Sequence, residues 1–384
     1  MRFLLFCPSA LGGFPRHSHS QAAELARRGI GVEMLSRPEM PVRPEPGSYR
    51  QNRCLLTVPG PGPVRKLLRT AAGVANYWIL AWVILRRRPD VVLLEANTEY
   101  FAPLWAWPHL LIAALTRTRY LANFHDPVRD RRMGPRWWHC LTLYLAFRPL
   151  SGGLVHGAVP PGAQIPAWVR LRSVPHGLFG DMAASAPSFD LRASFGIAPG
   201  RFVLLSFGLI ADRKNLDLLI DAVAATPDVD LVIAGQDVSA AQRPASTYRA
   251  HAERRGVADR VHFDIRFIPD GETAAYFEGA DAVALTYNRE FVSQSGVLQL
   301  AARWDKPVLA SSGPGPLQAS VETGLGLFVP PDDPAALARG LGQLVAGWRS
   351  DPAAFAAYRD QASWAANIDG LLALVSDLRG EPAR

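Results

Sequence analysis

The chain has 384 residues, of which 49% are hydrophobic and 20% charged, so it is long enough for two domains of ordinary size and too apolar for a disordered chain. Its 41 Lys and Arg against 34 Asp and Glu give a formal net charge of +7, a surplus that favours anionic partners. Cys7, Cys54 and Cys140 stand far apart and in no C-x-x-C pattern, which argues against a disulfide framework or zinc site and for a reducing compartment.

Residues 1–7 are too short an apolar run for a signal peptide and read as a buried first strand. Gly12 and Gly13 then make a turn, a helix follows over 16–28, and Gly29 stops it. Residues 32–35 read as the next strand. Residues 71–85 are almost wholly apolar, between Arg65, Lys66 and Arg69 on one side and Arg86, Arg87 and Arg88 on the other. The run is shorter than the roughly 20 residues that span a bilayer. A buried helix is favoured, and a helix lying in a membrane interface is the second reading. The basic, aromatic residues 129–148, with Trp137 and Trp138, keep that second reading open. Further strands are expected at 91–94, at 120–124 and at 154–156.

The second half repeats the scheme. Strands are expected at 202–206, 231–234, 261–263, 282–285, 307–310 and 327–329, and helices at 215–225 and 295–303. Continuous apolar runs between helical patterns indicate parallel sheets covered on both faces. The fold class is therefore α/β, with two doubly wound domains in series and ligands expected beyond the carboxyl ends of the strands.

Several residues stand just after such strands. Ser293, Gln294, Ser295 and Gly296 open an apolar helix; Ser293 or Ser295 can cap it, and free amides at a helix start bind phosphate. Gly208 ends another strand, and Arg213 and Lys214 precede the next helix, a cation pair suited to a diphosphate. A capped core helix and solvated turn charges are the plain alternatives. His125 and Asp126 end a strand in the first half, an imidazole and an acid that suit acid–base chemistry. Glu95 and Glu99 are further carboxylates of lower rank. Gly12 and Gly13 lack the G-x-G-x-x-G pattern, and His17 and His19 read as surface or cleft residues, so no metal ligand is expected.

The ordered set of motifs resembles the GT-B glycosyltransferases, and within them family 4. The resemblance rests on Gly12 and Gly13, on Arg88, Pro89 and Asp90, on Val174, Pro175, His176 and Gly177, on residues 207–219, and on residues 324–331. It implies a first, acceptor-binding Rossmann-like domain over 1–178, a nucleotide-sugar domain over 179–362, and a helix over 363–384 that crosses back to the first. It further implies a metal-independent transferase with no cofactor, the nucleotide-sugar being substrate.

On the family's pattern, Lys214 matches the diphosphate lysine, and Ser295, Gly296 and Val297 match the backbone contacts at the phosphate helix. Gly13 matches the glycine loop near the donor, and His125 the histidine that faces the transferred sugar. The pattern is broken at Val292 and Leu300, where the family carries paired glutamates, and at Leu209, where it carries an arginine. Glu290 and Arg213 are the nearest substitutes. Ser293 to Gly296 look like a branch that builds surface polysaccharides.

The function expected is transfer of a hexose from a UDP- or GDP-sugar to a lipid-linked or soluble glycan, with retention favoured over inversion and Asp126 the base if the reaction inverts. A non-catalytic sugar-binding or partner subunit and a nucleotide-sugar epimerase are the alternatives. The expected location is the cytoplasm, with peripheral attachment to an anionic membrane surface as an extension. Nucleic acid is not an expected partner, because the positive charge is dispersed.

Overall fold

The computed structural model describes residues 1–10, 12–60, 62–95, 99, 101–128, 134–160, 162–178, 189–237 and 242–380. The chain divides into two compact units: Met1–Gly177 with Trp364–Arg384, and Leu178–Ser363. The expected domain start at 179 and the start of the basic stretch at 129 lie outside the described residues.

Unit 1 is a seven-stranded parallel sheet in the order β3-β2-β1-β4-β5-β6-β7. Its strands are β1 (Arg2–Cys7), β2 (Gly31–Ser36), β3 (Arg50–Asn52), β4 (Val91–Leu94), β5 (Arg119–Phe124), β6 (Leu150–Val155) and β7 (Arg170–Ser173). The connecting helices are α1 (Phe14–Arg27), α2 (Pro63–Arg87), α3 (Ala102–Leu115) and α4 (Arg136–Phe147).

Unit 2 is a six-stranded parallel sheet in the order β10-β9-β8-β11-β12-β13. It contains β8 (Phe202–Phe207), β9 (Val229–Gly235), β10 (Val261–Ile265), β11 (Ala282–Thr286), β12 (Val308–Ser311) and β13 (Gly326–Phe328). Its helices are α5 (Leu191–Ser194), α6 (Leu216–Ala224), α7 (Ala245–Arg254), α8 (Asp270–Gly279), α9 (Gly296–Arg303), α10 (Pro316–Ser320), α11 (Pro334–Val345) and α12 (Pro352–Gln361). The last helix, α13 (Trp364–Arg379), belongs to unit 1 and packs on α1, β6 and β7.

Alternation along β1 shows how both faces are filled. Phe3, Leu5 and Cys7 pack with Leu25 of α1 and with Ile368, Leu371 and Leu374 of α13. Leu4 and Phe6 point the other way, into a core with Leu80, Ile84, Trp105 and Leu145 from α2, α3 and α4. In unit 2 the same alternation sends Leu204 toward α6, α7 and α11, and Val203 and Leu205 toward α8, α9 and α12.

Three expectations are corrected. The helix read at 71–85 extends over Pro63–Arg87, because nothing in residues 63–70 breaks it, and its length and composition would suffice to cross a bilayer. It is not wholly buried: Tyr77, Leu80, Val83 and Ile84 face the core, and Trp78 and Trp82 are exposed. Strands β3 and β7 had no apolar run to announce them; they are short, polar sheet edges.

Candidate active site

In unit 1 the chain delivers polar side chains to the carboxyl ends of five neighbouring strands. His17 lies in the first turns of α1, after β1; Glu95 follows β4, His125 follows β5, His156 follows β6, and His176 lies beyond β7. Gly12, at φ 68°, makes the left-handed turn that leads into α1, and the Gly13 carbonyl accepts from the His17 amide at 2.9 Å. No side chain caps α1.

Glu95 is the hub. Its carboxylate accepts from His17 Nδ1 at 3.0 Å, from His125 Nε2 at 2.9 Å and from Asn123 Nδ2 at 2.9 Å. Burial opposes charge on Glu95, but the adjacent His17 and His125 outweigh it and hold the carboxyl well below the usual range. Each imidazole that meets Glu95 is thereby oriented, with its other nitrogen directed elsewhere.

The His17 ring centre lies 4.6 Å from that of His125, 5.3 Å from His156, 5.2 Å from His176 and 5.1 Å from Trp364. Burial, reinforced by neighbouring imidazoles, lowers the basicity of His17 and His156 and brings His176 down to about 3. A buried amide network fixes the floor: Asn123 donates to Gln21 at 2.9 Å, Gln21 to Asn367 at 3.0 Å, and Asn367 to the Pro175 carbonyl at 2.7 Å.

Of the surface or cleft expected for His17, the surface is excluded, since the ring is fully buried in this cluster; its polar neighbours Arg16 and Ser18 gave it the look of an exposed residue. His19 does not join, bonding Tyr49 at 2.7 Å instead. His17, His125 and His156 bring one ring nitrogen each within 4.8 Å of one another, and the buried Nε2 atoms of His17 and His156 have no hydrogen-bond partner among the described residues. That geometry can take a divalent cation as well as a polar substrate group. Asp126 is exposed beside His125, and Glu99 is buried.

In unit 2 two segments far apart in sequence meet. A Cβ added to Gly208 would stand 3.7 Å from both Lys214 Nζ and Val297 Cγ2, so the end of β8, the turn before α6 and the first turn of α9 share one spot. Gly208 has φ 91°, a conformation glycine adopts without strain. Lys214 Nζ donates to the Phe207 carbonyl at 2.5 Å; burial, and then the charge of Arg213, push it down to about 7. The Arg213 carbonyl accepts from the Asn288 amide at 2.8 Å, and its guanidinium lies 5.3 Å from the Phe291 ring centre.

The capping expectation is corrected. Ser295 precedes α9, yet its hydroxyl pairs with Tyr287 at 2.9 Å and does not cap the helix. Gln294 bonds Ser320 at 3.0 Å and takes the Ser295 amide on its Oε1. The first-turn amides of Gly296 and Val297 are thus not used by a Ser295 cap, an arrangement that can receive an anion. Glu290 is exposed on the loop before α9. Leu300 is buried in the core and offers no polar atom to a ligand.

His156, His176 and Trp364 were not singled out from the sequence as site residues. Their signal was position: His156 and His176 follow strands, and Trp364 opens the closing helix.

Residues 188–361 match the model of the family described as Glycosyl transferases group 1. A D-inositol 3-phosphate glycosyltransferase of Mycolicibacterium gilvum is 31% identical over 199 residues, 50% of this chain and 42% of that protein. The chain spans about half the length of the curated relatives it matches. Among solved structures, sucrose-phosphate synthase from Thermosynechococcus elongatus superposes with a TM-score of 0.70 at 18% identity, covering 99% of this chain and 98% of that one. Anabaena HepE in complex with UDP and glucose superposes with a TM-score of 0.65 at 18% identity, covering 99% and 97%. The chain has the GT-B fold, and its second half resembles the glycosyl transferases group 1 family over residues 188–361.

Proposed function

We propose that the protein is a glycosyltransferase that moves a hexose from a UDP- or GDP-sugar to a lipid-linked glycan in the building of a cell-surface polysaccharide, working at the inner face of the cytoplasmic membrane. The observation that carries the reading is the meeting of Gly208, Lys214 and Val297 at the start of an uncapped helix. A lysine held at that point and two free amides form a site for a diphosphate with no metal needed to offset its charge. Anabaena HepE, which shares the fold, is seen with UDP and glucose, which favours a nucleotide-linked hexose as donor.

The chemistry follows from the charge that develops. As the bond between the anomeric carbon and the diphosphate oxygen breaks, negative charge grows on the leaving group. Lys214 and the α9 amides, fixed in place, stabilise that charge more than they stabilise the bound donor. Arg213 is exposed beside them and adds a second cation. In unit 1, His125 is oriented through its Nε2 by Glu95, so its Nδ1 is the atom that can meet a hydroxyl. Under retention His125 positions the sugar; under inversion Asp126 is the candidate base for the acceptor hydroxyl. Retention is the favoured outcome.

A second reading is a sugar-nucleotide-binding partner subunit. It is favoured by Val292 and Leu300, since the paired glutamates that the resemblance leads one to expect are replaced by a valine and a core leucine. A thermal-shift screen against UDP, GDP, UDP-glucose and GDP-mannose, with a chelator present, separates the readings. A shift with one nucleotide and slow hydrolysis of its sugar supports the transferase. Binding with no hydrolysis, even with membrane lipid extract added, supports the subunit, and no shift with any of them contradicts both. Loss of hydrolysis on chelation alone would transfer attention to the His17, His125 and His156 triad as a metal site.

A further inference from the structure

Three neighbouring helices of unit 1 share an unusual surface. Helix α2 packs on α3, and α3 on α4, and together they cover one face of the sheet. None of the three contains an Asp or Glu. Each has an apolar stripe on the side turned away from the core, at the spacing of one helix face.

On α2 the exposed stripe runs through Leu67, Ala71, Trp78, Trp82 and Leu85, opposite the buried Tyr77, Leu80 and Ile84. On α3 it is Leu104, Trp107, Leu111 and Leu115, and α3 carries no charge at all. On α4 it is Trp137, Leu141 and Tyr144. The exposures are high: 51% for Trp78, 56% for Trp82, 57% for Trp107 and 65% for Trp137. Scattered surface leucines need no explanation, but three aligned stripes with four tryptophans do.

The rim is cationic. Arg65, Lys66 and Arg69 stand in the first turns of α2, Arg86, Arg87 and Arg88 at its end, and Arg117, Arg136 and Arg148 at the ends of α3 and α4; all are exposed, and of these Arg87 is ion-paired, with Glu33 at 3.4 Å. The Arg86 guanidinium sits 4.6 Å from the Trp82 ring centre, so cation and indole occupy the same level. Trp78 donates to the Leu104 carbonyl at 3.1 Å and ties the α2 and α3 stripes together.

We propose that this three-helix face is a docking surface for an anionic phospholipid bilayer, entered to the depth of the head groups and first methylenes. Indoles are suited to the polar–apolar boundary, leucines to the acyl chains beneath it, and guanidinium groups to lipid phosphates above. Helix α2 does not span the bilayer, because its other face is committed to the core of unit 1. Charge complementarity selects the occupant: a protein partner would be expected to meet carboxylates as well as cations, whereas a bilayer of anionic head groups requires a rim of one sign. The inference extends the peripheral-membrane part of the proposed function and names the surface responsible.

The test is co-sedimentation of the full chain with phosphatidylcholine vesicles, with and without phosphatidylglycerol. Wild type is expected to bind the anionic vesicles at least about tenfold more tightly than neutral ones, with the advantage lost at high salt. Trp78→Glu/Trp82→Glu/Trp107→Glu changes only exposed positions and should leave the vesicles, whereas Arg65→Glu/Lys66→Glu/Arg69→Glu should lose only the anionic preference. Circular dichroism and UDP thermal shift report folding and the unit 2 site separately, so failure of the transferase reading would not be confused with failure of this one. Wild type that ignores anionic vesicles, or a triple tryptophan variant that binds them as wild type does, overturns the proposal. A dimer that the tryptophan variant dissociates, with no vesicle binding by either, assigns the face to a second copy of the chain instead.

Discussion

Lys214 Nζ donates to the carbonyl oxygen of Phe207 at 2.5 Å, which holds the only side-chain nitrogen of that lysine at the end of β8. The residue as a whole is half-buried, but its amine lies inward, and burial followed by the Arg213 charge brings it down to about 7. At neutral pH much of it is therefore uncharged until an anion arrives. The sign is fixed: raising the pH through 7 removes the proton that a diphosphate requires. Affinity for UDP-glucose, whose diphosphate does not titrate in this range, should fall by about tenfold or more between pH 6.5 and pH 9. Calorimetric titration at the two values checks this. Lys214→Met should bind weakly with no such slope and, without nucleotide, should melt a few degrees higher, because a buried amine is replaced by an apolar chain of similar length.

The imidazole cluster gives unit 1 a pH dependence of its own. His17, His156 and His176 are all held below their unfolded basicity, so between the unfolded value near 6.5 and the folded values the unfolded chain binds more protons. Stability then falls as the pH drops below about 6.5. Glu95 acts in the same direction lower down, since its contribution is present above about 4.5 and lost as it protonates. Thermal melts at pH 7.5 and pH 5 should differ by several degrees, and His156→Leu should reduce that difference. A melting temperature that rises on acidification would contradict the burial of these rings.

Gly177 is the last residue of the first segment of unit 1 and Trp364 the first of the returning helix. Gly177 has φ 77°, and a Cβ there would lie 2.6 Å from the Trp364 indole. Gly177→Ala should cost about 2 kcal/mol or more, the sum of left-handed strain and overpacking. A urea titration measures it; a loss below about 0.5 kcal/mol would mean that α13 does not need this close approach.

Much of this architecture was legible in the chain. Apolar runs such as Val91 to Leu94 and Val283 to Leu285 could only be strands buried on both faces, and the residues after them were the right place to look. Gly208 and Lys214 were noticed because they follow a strand and precede a helix, and Val297 only through the family resemblance; the structure brings the three together. The Ser295 cap was misread because the sequence does not show that Tyr287 competes for its hydroxyl. The imidazole cluster was hidden for a different reason. His17, His156 and His176 follow β1, β6 and β7, and only the sheet order brings them together near Glu95 after β4. Likewise periodicity marked α2 as apolar without revealing that two of its faces are apolar and only one is covered.

The central claim is that Lys214 acts on the departing diphosphate. The direct measurement is single-turnover hydrolysis of the preferred UDP- or GDP-sugar by wild type and Lys214→Ala, at saturating donor. Losing a charge that acts mainly in the transition state should slow the step by about tenfold or more. A variant that hydrolyses the donor within about twofold of wild type would contradict the assignment of this lysine and, with it, the site on which the proposed function rests.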